Sequence, residues 1–380
     1  MTADFSELDK QYMSRAINLA KKGRFTTSPN PNVGCVIVQN NSVVGEGFHF
    51  KAGQPHAEVN ALAMAQDRAI GATCYVTLEP CSHYGRTPPC ALALTKAGIK
   101  RVIIAMQDPN PKVAGRGIQI LREAGIDVAV GLLEQDAHRL NRGFIHRMQT
   151  QKPRVTVKLA ASLDGKTALE NGQSQWITGP VARVDVQYYR AQQSAILTGV
   201  GTVLEDNPSL NVRYNELQQA PAFLNEIDEL SVRQPIRIIL DSNNKLTLNE
   251  RLFTLPGKVI IVSLAARVDL KSKTFSADVE QFIGVNDGTG RIDLNDLLNR
   301  LNSAEINDLW IEAGAKLSGE FFKHHLVDEF ILYQAPKLMG DLARNLVNLP
   351  NFSKMNDVIQ LSIKDVAIVG NDIRIISNRE

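Results

Sequence analysis

Apolar side chains recur at helical spacing from Tyr12 to Ala20, and Gly23 supplies a stop signal. The pattern then shortens. Ser28-Pro29-Asn30-Pro31-Asn32 makes a proline-punctuated turn ahead of a strand from Val33 to Val38, and Asn40-Asn41 turns a hairpin into Val43 to Gly47. A helix opens at His56, with His56 and Glu58 in its first turn and Val59, Leu62 and Ala63 behind them for packing. Ala72 to Leu78 and Val102 to Met106 read as strands. Between them Pro88-Pro89 marks the start of a helix that Cys90 opens. Ile118 to Ala124 is a further helix and Val128 to Val130 a short strand. Strands alternating with helices predict a layered α/β unit. The polar stretch Gln149-Thr150-Gln151-Lys152-Pro153 marks its end, giving domains 1–148 and 149–380.

The second half repeats the alternation. Arg154 to Ser162 is a strand, Leu163-Asp164-Gly165-Lys166 its turn, and Val181 to Ala191 a helix. Pro235 to Ser242 and Val259 to Val262 read as buried parallel strands. Leu309 to Glu320 runs strand, glycine turn, helix. Gly199-Val200-Gly201 has Leu204 where a third glycine of a dinucleotide fingerprint would stand, so a standard Rossmann motif is absent. The turn from Gly314 to Gly319 still leads a helix N-terminus, which leaves open a helix-packing turn or a phosphate cradle.

Composition narrows the class. With 380 residues, 44% hydrophobic and 22% charged, the chain has room for two cores. Forty-two basic against forty acidic residues leave +2, with no basic stripe for nucleic acid. No apolar run approaches a membrane span, and the N-terminus is polar, so the cytoplasm is the expected location. Of four cysteines, Cys35 and Cys74 sit in apolar strands and read as core residues.

Chemistry concentrates between His56 and Cys90. One imidazole (His56) and two thiols (Cys81, Cys90) suit zinc, and three protein ligands are a catalytic set rather than a structural one. Zinc lowers the pKa of a bound water to about 7. Glu58, two residues past the first ligand, can carry its proton to a leaving amine. Zinc-dependent base deaminases share H-x-E and P-C-x-x-C. Here His56-Ala57-Glu58 and Pro80-Cys81 are kept, but eight residues separate Cys81 from Cys90. A disulfide or two unrelated thiols is the alternative for that pair.

The inserted Ser82-His83-Tyr84-Gly85-Arg86-Thr87-Pro88-Pro89 resembles the loop of the bifunctional riboflavin-biosynthesis deaminase–reductases (RibD/RibG type). The S-P-N-P-x-V-G-C segment, D-P-N-P-x-V-x-G-x-G after the strand ending at Met106, S-L-D-G, G-x-G-T-V-x-x-D-x-P and E-x-G-x-x-L-x-G extend the resemblance over nearly the whole chain. It implies a cytidine-deaminase-like α/β/α domain followed by a dihydrofolate-reductase-like α/β domain. The first would use Zn2+, with Asn30, His49, His83, Arg86, Asp108 and Asn110 near its substrate.

The second would use NADPH, meeting Ala160, Trp176, Thr202, Asp206, Ser242 and the turn Gly314, Ala315, Lys316, Leu317, Ser318, Gly319 and Glu320. Lys158, Ser174, Arg190, Leu210, Arg213 and Glu312 would meet its substrate. Asp206-Asn207-Pro208 departs from the two acids of many relatives. The partners implied are phosphorylated pyrimidines, with no nucleic acid or membrane, and a homo-oligomer is expected. Two other classes compete. A tRNA or polynucleotide deaminase with an accessory binding domain lacks support from the charge balance. A zinc-stabilised binding protein would need a fourth protein ligand, for which His49 and His83 are the nearby candidates.

Overall fold

Ser6 and Asp9 cap the first helix, α1 (Glu7–Lys22), reciprocally: the Asp9 amide donates to Ser6 Oγ at 3.1 Å and the Ser6 amide to the Asp9 carboxylate at 2.9 Å. The helix therefore begins well ahead of the apolar run at Tyr12, which supplies its buried face of Met13, Ala16, Ile17 and Ala20. The computed structural model describes residues 5–82, 88–111, 113–221, 223 and 227–379. The chain divides into two units, Met1–Gln151 and Lys152–Glu380.

In the first unit α1 is followed by β1 (Gly34–Gln39), β2 (Ser42–Phe48), α2 (Ala57–Ala65), β3 (Thr73–Val76), α3 (Cys90–Lys96) and β4 (Arg101–Ile104). Then come α4 (Arg116–Glu123), β5 (Asp127–Val130), α5 (Glu134–Leu140) and α6 (Arg142–Thr150). The sheet order is β2-β1-β3-β4-β5, with β1 antiparallel to both neighbours and β3, β4 and β5 parallel. Strand alternation sends Cys35, Ile37, Cys74, Val76, Val102 and Ile104 to the face covered by α2, α3 and α4. Val36, Val38, Tyr75 and Ile103 face α1, α5 and α6. Each fully buried valine or isoleucine among them contributes roughly 1.5–3 kcal/mol. Gly47 lets α2 lie directly on β2, since a Cβ there would meet Ala57 O at 2.7 Å and Ala61 N at 2.7 Å. α6 carries the first unit past residue 148, and Gln151 closes it in the left-handed conformation.

The second unit contains β6 (Arg154–Ser162), β7 (Lys166–Ala168), α7 (Pro180–Gln192), β8 (Ala195–Gly199), α8 (Val200–Asp206), α9 (Tyr214–Leu217) and β9 (Ile236–Leu240). It continues with β10 (Lys258–Ser263), β11 (Asp278–Ile283), α10 (Leu294–Ser303), β12 (Asp308–Ile311) and α11 (Ala315–Lys323). β13 (Glu329–Ala335), β14 (Arg344–Asn345), β15 (Leu361–Val369) and β16 (Asp372–Arg379) complete it. Nine strands form one sheet in the order β11-β10-β9-β8-β12-β6-β13-β16-β15, parallel from β11 to β13 and antiparallel beyond. α10 and α11 cover one face through Leu297, Leu298, Leu301, Phe321 and Phe322. Among the described residues no helix is long and apolar enough to cross a membrane.

Candidate active sites

In the first unit, His56 is the extended residue that caps α2, Cys90 is the first residue of α3, and Cys81 lies in the loop after β3. His56 Nδ1 stands 3.6 Å from Cys81 Sγ and 3.3 Å from Cys90 Sγ, and the three ligand atoms lie within 4.8 Å of one another. A tetrahedral zinc, with bonds of roughly 2.3 Å to sulfur and 2.0–2.1 Å to nitrogen, separates such atoms by about 3.5 Å. The donor set fits zinc. The Cys90 amide donates to Cys81 Sγ at 3.2 Å, so the start of α3 stabilises the neighbouring sulfur. Hydrogen bonding from the Cys90 thiol, reinforced by His56 and the Cys90 amide, holds the Cys81 thiol down at about 4 despite burial.

Glu58, in the first turn of α2, is 3% exposed. Burial, then the charge of Cys81, pushes its carboxyl up to about 7. His49 is buried beside His56, with ring centroids 5.3 Å apart. Its Nδ1 faces Pro55 O at 3.1 Å, and a carbonyl only accepts, so Nδ1 carries the proton. Burial favours the neutral ring, leaving Nε2 to accept from Asn30 Nδ2 at 3.0 Å. Both ring nitrogens of His49 are engaged, and it is not a fourth ligand. His83 and Arg86 lie outside the described residues.

Glu79 organises the loop opposite. It is 5% exposed and accepts four backbone amides: Asp108 at 3.1 Å and Gly115 at 2.9 Å on Oε2, Gly117 at 2.8 Å and Ile118 at 3.2 Å on Oε1. The Asn110 amide in turn donates to Asp108 Oδ1 at 2.8 Å. Gly117 admits the approach, because a Cβ there would come within 2.0 Å of Pro80 O. The loops after the parallel strands β3 and β4 are thus fixed side by side, where α/β sheets present ligands.

In the second unit, Arg190 on α7 grips Glu312, just past β12. Its Nε donates at 3.1 Å and its Nη2 at 2.8 Å to both carboxylate oxygens, while Nη1 donates to Asn211 O at 2.8 Å. Trp310 Nε1 adds a bond to Glu312 at 2.6 Å. Burial would raise the Glu312 carboxyl, but Arg190 and Lys158 bring it down to about 2. Lys158 on β6 lies over the Tyr333 ring, 5.9 Å from its centroid, and burial lowers its pKa.

A cleft of about 1410 Å³ lies at the carboxyl ends of β8, β9 and β12. Thr202, Ser242, Gly314, Ala315, Lys316, Leu317 and Glu320 line it.

Two family models divide the chain. Residues 6–106 match the cytidine and deoxycytidylate deaminase zinc-binding region, and residues 153–375 match the RibD C-terminal domain. The riboflavin biosynthesis protein RibD of Escherichia coli (strain K12) is 50% identical over 365 residues, covering 96% of this chain and 98% of that protein. The chain belongs to the RibD family. The RibD of Haemophilus influenzae is 50% identical over 372 residues, 98% of each chain. Among solved structures, Acinetobacter baumannii RibD (form 1) matches with a TM-score of 0.89 at 46% identity, covering 98% of this chain and 99% of that one. A Thermotoga maritima diaminohydroxyphosphoribosylaminopyrimidine deaminase/5-amino-6-(5-phosphoribosylamino)uracil reductase matches at 0.83 and 33%, covering 98% and 99%.

As a member of the RibD family the chain is a bifunctional deaminase and reductase of riboflavin biosynthesis, with Zn2+ and NADPH as cofactors. Its folds are cytidine-deaminase-like and dihydrofolate-reductase-like. The polynucleotide-deaminase alternative is not favoured.

Not all of the remaining residues expected at the RibD reductase site line this cleft. Ser318 and Gly319 turn away from the cleft because the segment after Gly314 is a helix rather than an open turn. Ser318 is fully buried and bonds Ala313 O at 3.2 Å, and a Cβ at Gly319 would meet Asn348 O at 2.0 Å. Ala160, Trp176 and Asp206 are not among the residues lining the cleft. Trp176 is 64% exposed, with the Arg183 guanidinium 4.5 Å from its ring centroid. The Leu210 side chain is buried against Trp310, at φ 51°. Arg213 pairs with Glu216 at 2.6 Å, and Ser174 is half-buried. Arg190 makes four hydrogen bonds, three to the Glu312 carboxylate and one to Asn211 O. Glu79 escaped sequence reasoning as an anchor, since its partners are amides far along the chain.

Proposed function

We propose that residues 1–148 catalyse hydrolytic deamination of 2,5-diamino-6-(5-phosphoribosylamino)pyrimidin-4(3H)-one. Residues 149–380 then reduce the product, 5-amino-6-(5-phosphoribosylamino)uracil. The observation that carries the first half is a three-ligand His/Cys/Cys cluster with a buried carboxylate two residues from its histidine. His56, Cys81 and Cys90 would hold the zinc, which when bound would lower the pKa of a water to about 7. Glu58 takes its proton and passes it to the amine leaving C2, so water enters and ammonia departs. Asn30, oriented by His49, and Asp108 and Asn110, held through Glu79, position the pyrimidine. His83 and Arg86 complete this set, with Arg86 suited to the phosphate.

In the second reaction NADPH, when bound, would supply the hydride for C1′, the C1′–O4′ bond breaking and O4′ gaining a proton, so that the ribosyl ring becomes a ribityl chain. The cleft wall of Thr202, Ser242, Gly314 to Leu317 and Glu320 holds the cofactor, with Ala160, Trp176 and Asp206 alongside. Lys158, Ser174, Leu210 and Arg213 meet the substrate, and Arg190 fixes Glu312 for the same purpose. The same reading makes the enzyme a cytoplasmic homo-oligomer. Four unbridged cysteines suit a reducing compartment, and Ile363, Val366 and Ile368, all exposed on the edge strand β15, suit coverage by a second copy. Metal analysis with a coupled assay of ammonia release and NADPH oxidation tests the whole. A chain without zinc, or one releasing no ammonia from the diaminopyrimidine, would sink it.

A further inference from the structure

The cleft of the second unit follows the carboxyl ends of β9, β8 and β12, which are neighbours in that order, with β6 next beyond β12. Lys158 on β6 and Glu312 after β12 mark the side where the sugar is reduced. A dinucleotide whose nicotinamide reaches that side places its adenosine at the other end, beside β9. At the corresponding point of dinucleotide sites, an acid that binds the ribose 2′-hydroxyl serves NAD, whereas a cation accommodates the extra phosphate of NADP.

An acid does follow β9 here, but it is turned inward. Asp241 is fully buried, its Oδ1 accepting the Lys245 amide at 2.7 Å and its Oδ2 the Leu246 amide at 2.9 Å and Arg267 Nη1 at 3.2 Å. The same bonds curl the segment so that Ser242 and Lys245 reach the cleft. Three other cations of the wall have acidic partners. Arg291 and Lys323 pair with Glu320, and Arg344 with Glu205. Lys245 is exposed and its ammonium has no partner among the described residues. Lys316 is on the β12 side, at the Gly314 turn, the place for the bridging phosphates.

We propose that Lys245, assisted by the Ser242 hydroxyl, receives the 2′-phosphate and sets the choice of NADPH over NADH. The proposal rests on the reading of this cleft as the dinucleotide site. The ammonium contributes a charge-assisted bond that the unphosphorylated ribose cannot use, while the buried Asp241 neither binds the 2′-hydroxyl nor repels the phosphate.

Calorimetric titration of the full chain with adenosine 2′,5′-bisphosphate and with adenosine 5′-monophosphate tests it without turnover. The expected result is a preference for the bisphosphate of about tenfold or more, weakening as salt rises. Lys245→Ala should bring the two affinities close to equal by weakening the bisphosphate alone, and Lys245→Glu should invert the order. If Lys245→Ala keeps the preference, or weakens both ligands equally, the assignment of the lysine is overturned while the cleft remains the cofactor site. If the wild-type chain binds neither ligand and NADPH binding survives blockage of the cleft by a bulky substitution at Gly201, the cofactor reading of the cleft falls as well.

Discussion

Glu79 holds Gly117 through a 2.8 Å hydrogen bond from the glycine amide to Oε1, joining the loop that carries Cys81 to the start of α4. Only a carboxylate can satisfy the four amides converging there, since both of its oxygens accept. Glu79→Gln replaces one oxygen by a donor facing two donors, each stranded amide costing about 1–3 kcal/mol. The expected outcome is a KM for the diaminopyrimidine raised about tenfold or more, with zinc content and NADPH oxidation kept. Ammonia-release kinetics alongside metal analysis check it, and an unchanged KM counts against a positioning role.

Glu58→Gln preserves the shape of the first turn of α2 and removes the proton carrier. Ammonia release should fall by roughly 10²–10⁴-fold, with zinc still bound. Reduction of substrate supplied already deaminated should continue at the wild-type rate. Loss of both activities together would contradict separate sites.

Removal of metal should separate the activities in the same direction. Chelation, or Cys81→Ser, breaks the three-ligand set of His56, Cys81 and Cys90, and ammonia release should vanish while NADPH oxidation persists. Restoring zinc should rescue the chelated wild-type protein but not the variant. Simultaneous assay of both reactions gives the answer.

Acid should expose the role of Glu312. Its carboxyl titrates at about 2, below the ordinary 4.5, because Arg190 and Lys158 overcome the effect of burial. A depressed carboxylate contributes stability that is fully present above the ordinary value and is lost as pH falls through the folded one. Glu312→Gln leaves Arg190 without its charge partner and should destabilise the second unit by about 3 kcal/mol at neutral pH. Denaturant unfolding of both proteins should show this gap closing as pH falls from 4.5 towards 2. A gap independent of pH would show that shape rather than charge matters.

The zinc ligands were legible because residue type alone carries their chemistry, and His56, Cys81 and Cys90 stand in recognisable local segments. β6 was equally plain, since Arg154 to Ser162 alternates as a strand must. The Arg190–Glu312 pair was not. Either residue alone reads as a ligand-binding charge, and nothing local in α7 points to an acid beyond β12. Ser318 and Gly319 illustrate a related gap: a motif names a contiguous turn, whereas helical periodicity decides which of its residues face the cleft. The start of α1 was missed for a simpler reason, because its cap is polar and precedes the apolar pattern.

The place of β6 between β12 and β13 also has a bearing on synthesis. Among the described residues the strands of the first unit pair only with one another, so that sheet can close once its own segment has left the ribosome. β6 emerges next, yet both of its neighbours, Asp308–Ile311 and Glu329–Ala335, are translated much later. Until then an apolar strand waits with both edges open, and nascent chains stalled in this interval should be the ones most dependent on chaperones.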